Sequence, residues 1–202
     1  MKEKLIDEIV SMEWEMFSAV QNVGGTAPCQ EDKTTFEMMR AGQAEAWPEE
    51  LLSSYAGDLK AAREQKRNLM TEKYAYMMES TFPDEYEQMK RLLPEVDDSK
   101  AQLIEEIVKI FVTWRMETSR RYPSLSQVSR AIHTYEDNPF QTSFETYLRG
   151  ELKTFSQRTV ELFFQMTQES LGAGINLEEA FLLNSVKKYG FDSLEQANEA
   201  CW

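Results

Sequence analysis

Apolar residues recur at intervals of three and four along almost the whole chain. In the first such stretch they are Ile6, Ile9, Val10, Met16, Phe17 and Val20. This spacing is typical of an amphipathic helix, and no segment shows the sustained alternation of a strand bounded by turn residues. The pattern predicts an all-α bundle of about eight helices without a sheet, over residues 2–22, 31–47, 49–80, 84–92, 99–121, 143–171, 177–189 and 193–200.

No low-complexity stretch or linker interrupts these segments, so we expect a single domain over residues 1–202. The longest irregular stretch that we expect follows the fifth helix and includes residues 122–141. One internal echo is visible, because LIDEIV at 5–10 resembles LIEEIV at 103–108. The echo indicates either a weak pseudo-repeat of the helices near 2–22 and 99–121, or the chance recurrence of a common amphipathic pattern.

Several polar residues fall on apolar helix faces. Glu13 lies in the middle of the apolar stripe of the first predicted helix, and Arg40 and Gln43 share a face of the second with Phe36 and Trp47. A buried lone carboxylate is costly, so Glu13 must be paired, hydrogen-bonded or protonated. The stripe predicted for the third helix also carries lysines at positions 66 and 73.

Two interpretations of these polar positions stay open. In the first, the polar residues form structural ion pairs or extend long side chains along helix edges. In the second, they line a polar pocket inside the bundle. In the second case Arg40, Gln43 and a lysine would hold an anionic or zwitterionic ligand, with Glu13 as base or ammonium anchor. Glu13→Gln would then abolish ligand binding with little loss of fold.

The segment TSFETYLRGELKTFS at 142–156 supplies further candidates. Glu145 and Arg149 are four residues apart and can pair on one helix face, where we expect them to contribute to ligand binding. Thr142 and Glu145 match a capping box, which gives Glu145 a structural alternative. Gly150 in mid-helix costs about 1 kcal/mol against alanine, so a close helix approach or ligand access is needed to explain it.

Cys29 is a candidate nucleophile, because it follows Pro28 near a helix start, where the helix dipole lowers the pKa of a thiol. Residues 133 and 137 could complete a Cys-His-Asp arrangement. The alternative is that Cys29 is a small apolar filler and His133 is solvated. Asn22 either caps the end of the first helix or directs its amide into a site at the pocket mouth.

Composition limits the remaining chemistry. The formal net charge is −13, so long-range repulsion disfavours nucleic acid and anionic membranes as partners. One histidine and two distant cysteines disfavour zinc, haem and di-iron sites, and a cluster of Glu13, Glu145 and Glu151 lacks metal-ligand spacing. We therefore predict no metal and no cofactor. Without a secretory signal, a membrane-spanning apolar run or a disulfide framework, we expect a cytoplasmic protein.

Three strings together resemble a bacterial family known as domain of unknown function 4125. They are EWEMFSAVQNVGGTAPCQEDKTTFEMMRAGQ, TSFETYLRGELKTFS and KKYGFDSLEQANEA, and the likeness spans nearly the whole chain. The resemblance implies no established chemistry. It does imply a nucleotidyltransferase-like partner protein, because members occur fused to such a domain and this chain has no sheet or paired-Asp pattern of its own.

The leading hypothesis from the sequence is a small-molecule-binding helical protein, an enzyme of unknown reaction, with a polar pocket inside the bundle. Glu13 and Cys29 are its catalytic candidates. Its ligand-binding candidates are Asn22, Arg40, Gln43, Glu145 and Arg149. The alternative is a non-enzymatic acidic adaptor or regulator that binds a protein partner.

Overall fold

The computed structural model describes residues 1–21, 25–127 and 129–200. These ranges contain α-helices and three short 3-10 turns, with no strand beyond an isolated bridge between Asn138 and Gln141. The all-α prediction is therefore confirmed. The helices are α1 (Lys2–Ser18), α2 (Lys33–Glu45), α3 (Glu49–Glu64), α4 (Leu69–Thr81), α5 (Pro83–Met89), α6 (Asp98–Arg121), α7 (Pro123–Gln127), α8 (Phe144–Thr154), α9 (Gln157–Gly172), α10 (Leu177–Lys188) and α11 (Leu194–Ala200).

The predicted number of helices was wrong, since the described ranges hold eleven rather than about eight. One additional helix, α7, lies in the stretch expected to be irregular. The other two arise because two predicted helices, 49–80 and 143–171, are each broken into a pair of shorter helices.

The first break separates α3 from α4. Lys66 adopts a left-handed conformation with φ 57°, and the amide of Arg67 donates to the carbonyl of Ala62 at 2.8 Å, which ends α3. Asn68 then caps α4 by accepting from the amides of Met70 and Thr71. Lys66 is consequently exposed, and its predicted place on the apolar stripe was wrong.

The second break separates α8 from α9. Phe155 and Ser156 are extended, and the Ser156 hydroxyl caps α9 by accepting from the amide of Thr159. Asp58 of α3 accepts from the amide of Ser156 at 2.9 Å. Both breaks redirect the chain so that neighbouring helices can pack against one core, which a local apolar period does not reveal.

The corner between α1 and α2 is held by a buried glutamine. Helix α1 ends at Ser18, before the glycines, so the prediction that it extends to residue 22 was wrong. The Gln30 side-chain amide donates to the carbonyls of Phe17 and Val20, and its oxygen accepts from the amide of Ala27. These bonds give the carbonyls of Phe17 and Val20 a side-chain donor where the regular hydrogen bonds of α1 end.

The main core lies where α1, α3, α4, α6, α8 and α9 meet. Its centre is aromatic, with Trp47 making edge contacts to Tyr55, Phe155 and Phe163. A smaller apolar cluster joins the end of α6 to α10 and α11 through Tyr122, Val186, Leu194 and Ala197.

In the described residues, no helix combines the length and apolarity that crossing a bilayer needs. The single-domain boundary and the pseudo-repeat stay predictions.

Gly150 permits a close crossing of α4 and α8. A Cβ atom at this position would lie 3.1 Å from the backbone carbonyl oxygen of Lys73 and 2.9 Å from Cγ of Met77. Close helix approach, one of the two explanations expected from the sequence, therefore accounts for this mid-helix glycine.

Gly150→Ala is expected to lower the free energy of unfolding by about 1 to 2 kcal/mol, because overpacking outweighs the gain in helix propensity. Gly57→Ala is the matched control, since nothing lies within 4 Å of a Cβ atom there, and it should stabilise by about 0.5 to 1 kcal/mol. Urea unfolding of both variants measures the difference. Stabilisation of both by similar amounts would refute the crowding argument.

Candidate functional site

Four charged side chains meet inside the bundle and form what we call the buried tetrad: Glu13 of α1, Arg40 of α2, Lys73 of α4 and Glu151 of α8. Arg40 Nε donates to Glu13 Oε2 at 2.8 Å, and its Nη2 donates to both Glu13 Oε1 and Glu151 Oε1. Lys73 Nζ donates to Glu151 Oε2 at 2.9 Å. The expectation that a buried Glu13 would be paired is confirmed.

Neutral groups complete the tetrad. The hydroxyl of Tyr55 donates to Glu13 Oε1 at 2.7 Å, and Arg40 Nη1 donates to the side-chain oxygen of Gln43 at 2.8 Å. Lys73 Nζ also lies 3.5 Å from the ring centroid of Tyr147. Two carboxylates and two cations give the tetrad a formal net charge of zero, so each buried group has a partner of opposite sign.

The pKa values of Glu151 and Arg40 follow from this arrangement. Burial alone would raise the pKa of Glu151, but the charges of Arg40 and Lys73 and their hydrogen bonds outweigh burial and bring it to about 2. Burial opposes the charge of Arg40, yet Glu13 and Glu151 raise its pKa well above the usual value. Both groups are therefore ionised throughout the physiological range.

The four side chains of the tetrad contact one another directly. Glu13 is only 1% exposed, and its two oxygens already accept from Arg40 and Tyr55. Neither of the two clefts described in this structure is lined by a tetrad residue. This geometry favours the ion-pair interpretation for Glu13, Arg40 and Gln43, in which they hold α1, α2, α4 and α8 together.

A cleft of about 430 Å³ lies on the other side of α8, between α4, α6 and the 3-10 turn Thr134–Glu136. We call it the α8 cleft. Two of the candidates from the sequence, Glu145 and Arg149, line it. Other polar groups come from α4, α6, the turn and α8, namely Glu79, Ser80, Glu105, Thr134, Thr146 and Lys153.

Two cations stand on the inner wall of the α8 cleft. Arg149 and Lys153 are four residues apart on α8 and so share a helix face. Arg149 donates from Nε and Nη2 to Glu105 at 2.7 and 3.0 Å, and Lys153 donates to Glu79 at 2.6 Å. The predicted pair of Arg149 with Glu145 is confirmed, at 2.9 Å.

Glu145 does not cap α8, so the capping box predicted for Thr142 and Glu145 was wrong. Ser143 is the N-cap and accepts from the amide of Thr146. Glu145 instead accepts from the amide of Thr134 at 2.9 Å as well as from Arg149. Burial would raise its pKa, but these hydrogen bonds lower it, so Glu145 presents a charged carboxylate to the cleft.

Asp137 anchors the segment beside the cleft. Its Oδ2 accepts from Ser80 at 2.6 Å and from Thr146 at 2.5 Å, and its Oδ1 accepts from the amide of Ser143. Burial opposes the lowering of its pKa, but these bonds prevail. His133 contacts Glu145, with Nδ1 3.8 Å from Oε2, and stacks on Tyr135. Asp137 and His133 thus have other partners than the Cys-His-Asp arrangement requires.

The remaining candidates lie elsewhere. Cys29 is exposed in the 3-10 turn Pro28–Gln30 and lines neither of the two clefts. Asn22 lies outside the described residues. Among the described residues, no three metal-ligating side chains converge, and Glu145 does not join Glu13 and Glu151. The catalytic roles proposed for Glu13 and Cys29 stay predictions.

Sequence reasoning missed most of the cleft. Lys153 lies four residues after Arg149, a spacing that could have singled it out. Glu79, Glu105 and Ser80 occupy exposed or intermediate positions of amphipathic helices, where charged and hydroxyl residues are ordinary. No local pattern separates them from other solvated residues.

Comparison with known proteins supports the resemblance noted in the sequence. The family model described as protein of unknown function DUF4125 matches residues 3–199, which is nearly the whole chain. No curated protein and no solved structure matches the chain.

Proposed function

The chain belongs to the DUF4125 family, and we propose that it binds a small molecule with an anionic group in the α8 cleft. The observation that carries this proposal is the order of charges across the cleft. Arg149 and Lys153 are 21% and 17% exposed, whereas their partners Glu105 and Glu79 are 55% and 54% exposed. The cations form the inner wall together with Glu145, which is 22% exposed, and the more exposed carboxylates of Glu105 and Glu79 cover them.

A ligand carboxylate or phosphate can take the place of these covering carboxylates. Exchanging one anion for another keeps each inner cation paired, so ligand entry leaves no buried charge without a partner. Arg149 presents Nε and Nη2 side by side, the geometry that binds a carboxylate through two parallel hydrogen bonds. The released glutamates return to water, where their charge is solvated at little cost.

The other walls suit a small molecule with polar and apolar parts. The Thr134 hydroxyl accepts from Arg149 at 3.2 Å, Ser80 and Thr146 also line the cleft, and Tyr76 and Gly150 add apolar surface. A volume of about 430 Å³ falls within the range of ligand-binding clefts. The lowered pKa values of Asp137 and Glu145 make these two carboxylates weak general bases. Enzymatic turnover therefore stays a prediction.

Thermal unfolding at low ionic strength tests this proposal with a panel of small carboxylates, phosphates and free amino acids. A bound member at 100 times its Kd should stabilise by about 2.7 kcal/mol and raise Tm by about 5 to 10 °C. Arg149→Met should abolish the shift, and Arg149→Lys should retain part of it, because the charge persists without the bidentate geometry.

Arg158→Met is the matched control, because Arg158 pairs with Glu50 on the exposed surface of α9. Its shift should equal that of the unmodified protein. The proposal fails when no panel member raises Tm, or when the rise survives in both Arg149→Met and Lys153→Met.

The alternative, an adaptor that binds a protein, has a separate observation in its favour. Phe140 is 99% exposed and Tyr135 is 84% exposed, and both lie in the segment that borders the α8 cleft. Exposed aromatic side chains are enriched where proteins bind one another. The nucleotidyltransferase-like partner implied by the family resemblance stays a prediction.

A further inference from the structure

The charges around the α8 cleft point to a narrower class of ligand. Glu79, Glu105 and Glu145 contribute three negative charges, and Arg149 and Lys153 contribute two positive ones, so the lining carries a net charge of −1. We propose that the ligand is a small zwitterion with a carboxylate and an ammonium group, the chemistry of a free α-amino acid. This inference rests on the proposed function of the same cleft.

The carboxylate of the zwitterion would bind Arg149 and Lys153 on the inner wall. It would displace Glu105 and Glu79, whose contacts of 2.7 and 2.6 Å to these cations it replaces. The two displaced glutamates remain attached to α6 and α4 at the rim of the cleft. They then lack cationic partners and are available to the ammonium group of the same ligand.

A zwitterion keeps the electrostatic balance of the cleft unchanged. The ligand brings one charge of each sign, so the lining and the ligand together still carry −1. A phosphate dianion would bring the same region to −3, inside a protein whose formal net charge is already −13. Like charges that are close together oppose binding, so the structure favours the zwitterion over a simple anion.

The size of the cleft limits the ligand. Its volume of about 430 Å³ accommodates an amino acid with its side chain. The side chain would lie against Tyr76, Ala101 and Gly150, the apolar part of the lining. Recognition would therefore depend on the two charged groups first and on the side chain second.

Isothermal titration calorimetry with three probe series tests the inference. The probes are free amino acids, their N-acetyl derivatives, which lack the ammonium group, and their methyl esters, which lack the carboxylate. We expect a free amino acid to bind at least about tenfold more tightly than either derivative, because each removes a charge-assisted hydrogen bond.

The Glu79→Gln, Glu105→Gln double variant sharpens the test, because it should change the affinities of the two anionic probes differently. It should reduce the preference for the free amino acid over its N-acetyl derivative by about tenfold, since only the free amino acid has an ammonium group that loses its partners. It should strengthen the N-acetyl derivative, since the covering carboxylates no longer compete for Arg149 and Lys153. Arg158→Met, outside the cleft, should change neither affinity.

The outcomes separate this inference from the function on which it rests. N-acetyl derivatives that bind as tightly as free amino acids, with binding lost in Arg149→Met, would overturn the zwitterion and leave anion binding standing. Methyl esters that bind best would overturn both, because the ligand would then need no anionic group. Absence of binding in all three series would overturn the zwitterion, and the phosphates of the wider panel would then decide on the proposed function.

Discussion

Glu151→Gln is expected to lower the free energy of unfolding by about 3 to 5 kcal/mol, the cost of removing one partner from a buried ion pair. Glu151 joins the two cations of the tetrad, since it accepts from Arg40 at 2.8 Å and from Lys73 at 2.9 Å. A glutamine has one acceptor oxygen, so one of the two buried cations would face its NH2 group, which cannot accept a hydrogen bond. Chemical denaturation measures the loss.

The pH dependence of this loss has a definite sign. The pKa of Glu151 is about 2 in the folded protein, below its ordinary value of 4.5. Its stabilisation is therefore present above pH 4.5 and disappears as the pH falls toward 2. The difference between Glu151→Gln and the unmodified protein should narrow across that interval.

A second substitution separates lost pairing from lost packing. The Glu151→Gln substitution leaves Lys73 without its carboxylate partner. Adding Lys73→Met removes this unpaired cation, so the double variant should recover part of the stability. Glu161→Gln, at an exposed position of α9, is the control and should change stability by no more than about 0.5 kcal/mol. A Glu151→Gln variant as stable as this control would refute the structural role of the tetrad.

Glu178→Gln is expected to stabilise the protein by about 3 kcal/mol at pH 8 and to have little effect at pH 4.5. Burial raises the pKa of Glu178 to about 7 despite the opposing charge and hydrogen bond of Arg115. That bond is long, at 3.3 Å, and the buried Nε of Arg115 has no hydrogen-bond partner. The carboxylate is therefore poorly compensated when it ionises.

The sign follows from proton binding. Because the pKa of Glu178 is higher in the folded state than its ordinary 4.5, the folded protein holds a proton that the unfolded chain releases between pH 4.5 and 7. Stability is consequently lost as the pH rises through that range, by about 1.4 kcal/mol for each pH unit. A glutamine at this position removes the loss.

Urea unfolding of both proteins across pH 4.5 to 8 measures this difference, which should grow between pH 4.5 and about 7 and then level off. Glu179→Gln is the matched control. The carboxylate of Glu179 pairs with the exposed Arg121, so this ion pair should contribute no more than about 1 kcal/mol at any pH. A constant difference between Glu178→Gln and the unmodified protein would show that Glu178 is ionised throughout.

Several features of the candidate sites could be predicted from local pattern. The place of Glu13 on an apolar stripe indicated a buried carboxylate, and the four-residue spacing of Glu145 and Arg149 indicated a pair on one helix face. Asn176 stands three residues before Glu179, a spacing typical of a helix N-cap, and its side chain accepts from the amide of Glu179. Each of these predictions depends on residues within one or two helical turns.

Other features depend on residues far apart in the chain. Arg40 and Glu151 are 111 positions apart, and Glu105 and Arg149 are 44 apart. The helix breaks at Lys66 and Ser156 also escaped prediction, because the apolar period continues across both of them. A long-range partner leaves no local signature in the residues that it contacts.

The sequence by itself determined that this protein is all-helical and that charged groups occupy core positions, because helical periodicity and the cost of burying charge are both local properties. Only the tertiary structure decided which charges meet. Packing of α4 against α8 through Gly150 places Glu151 in the tetrad and turns Arg149 and Lys153 toward the cleft. Helix α8 thus faces the core on one side and the proposed ligand site on the other, since residues two positions apart on a helix point in roughly opposite directions.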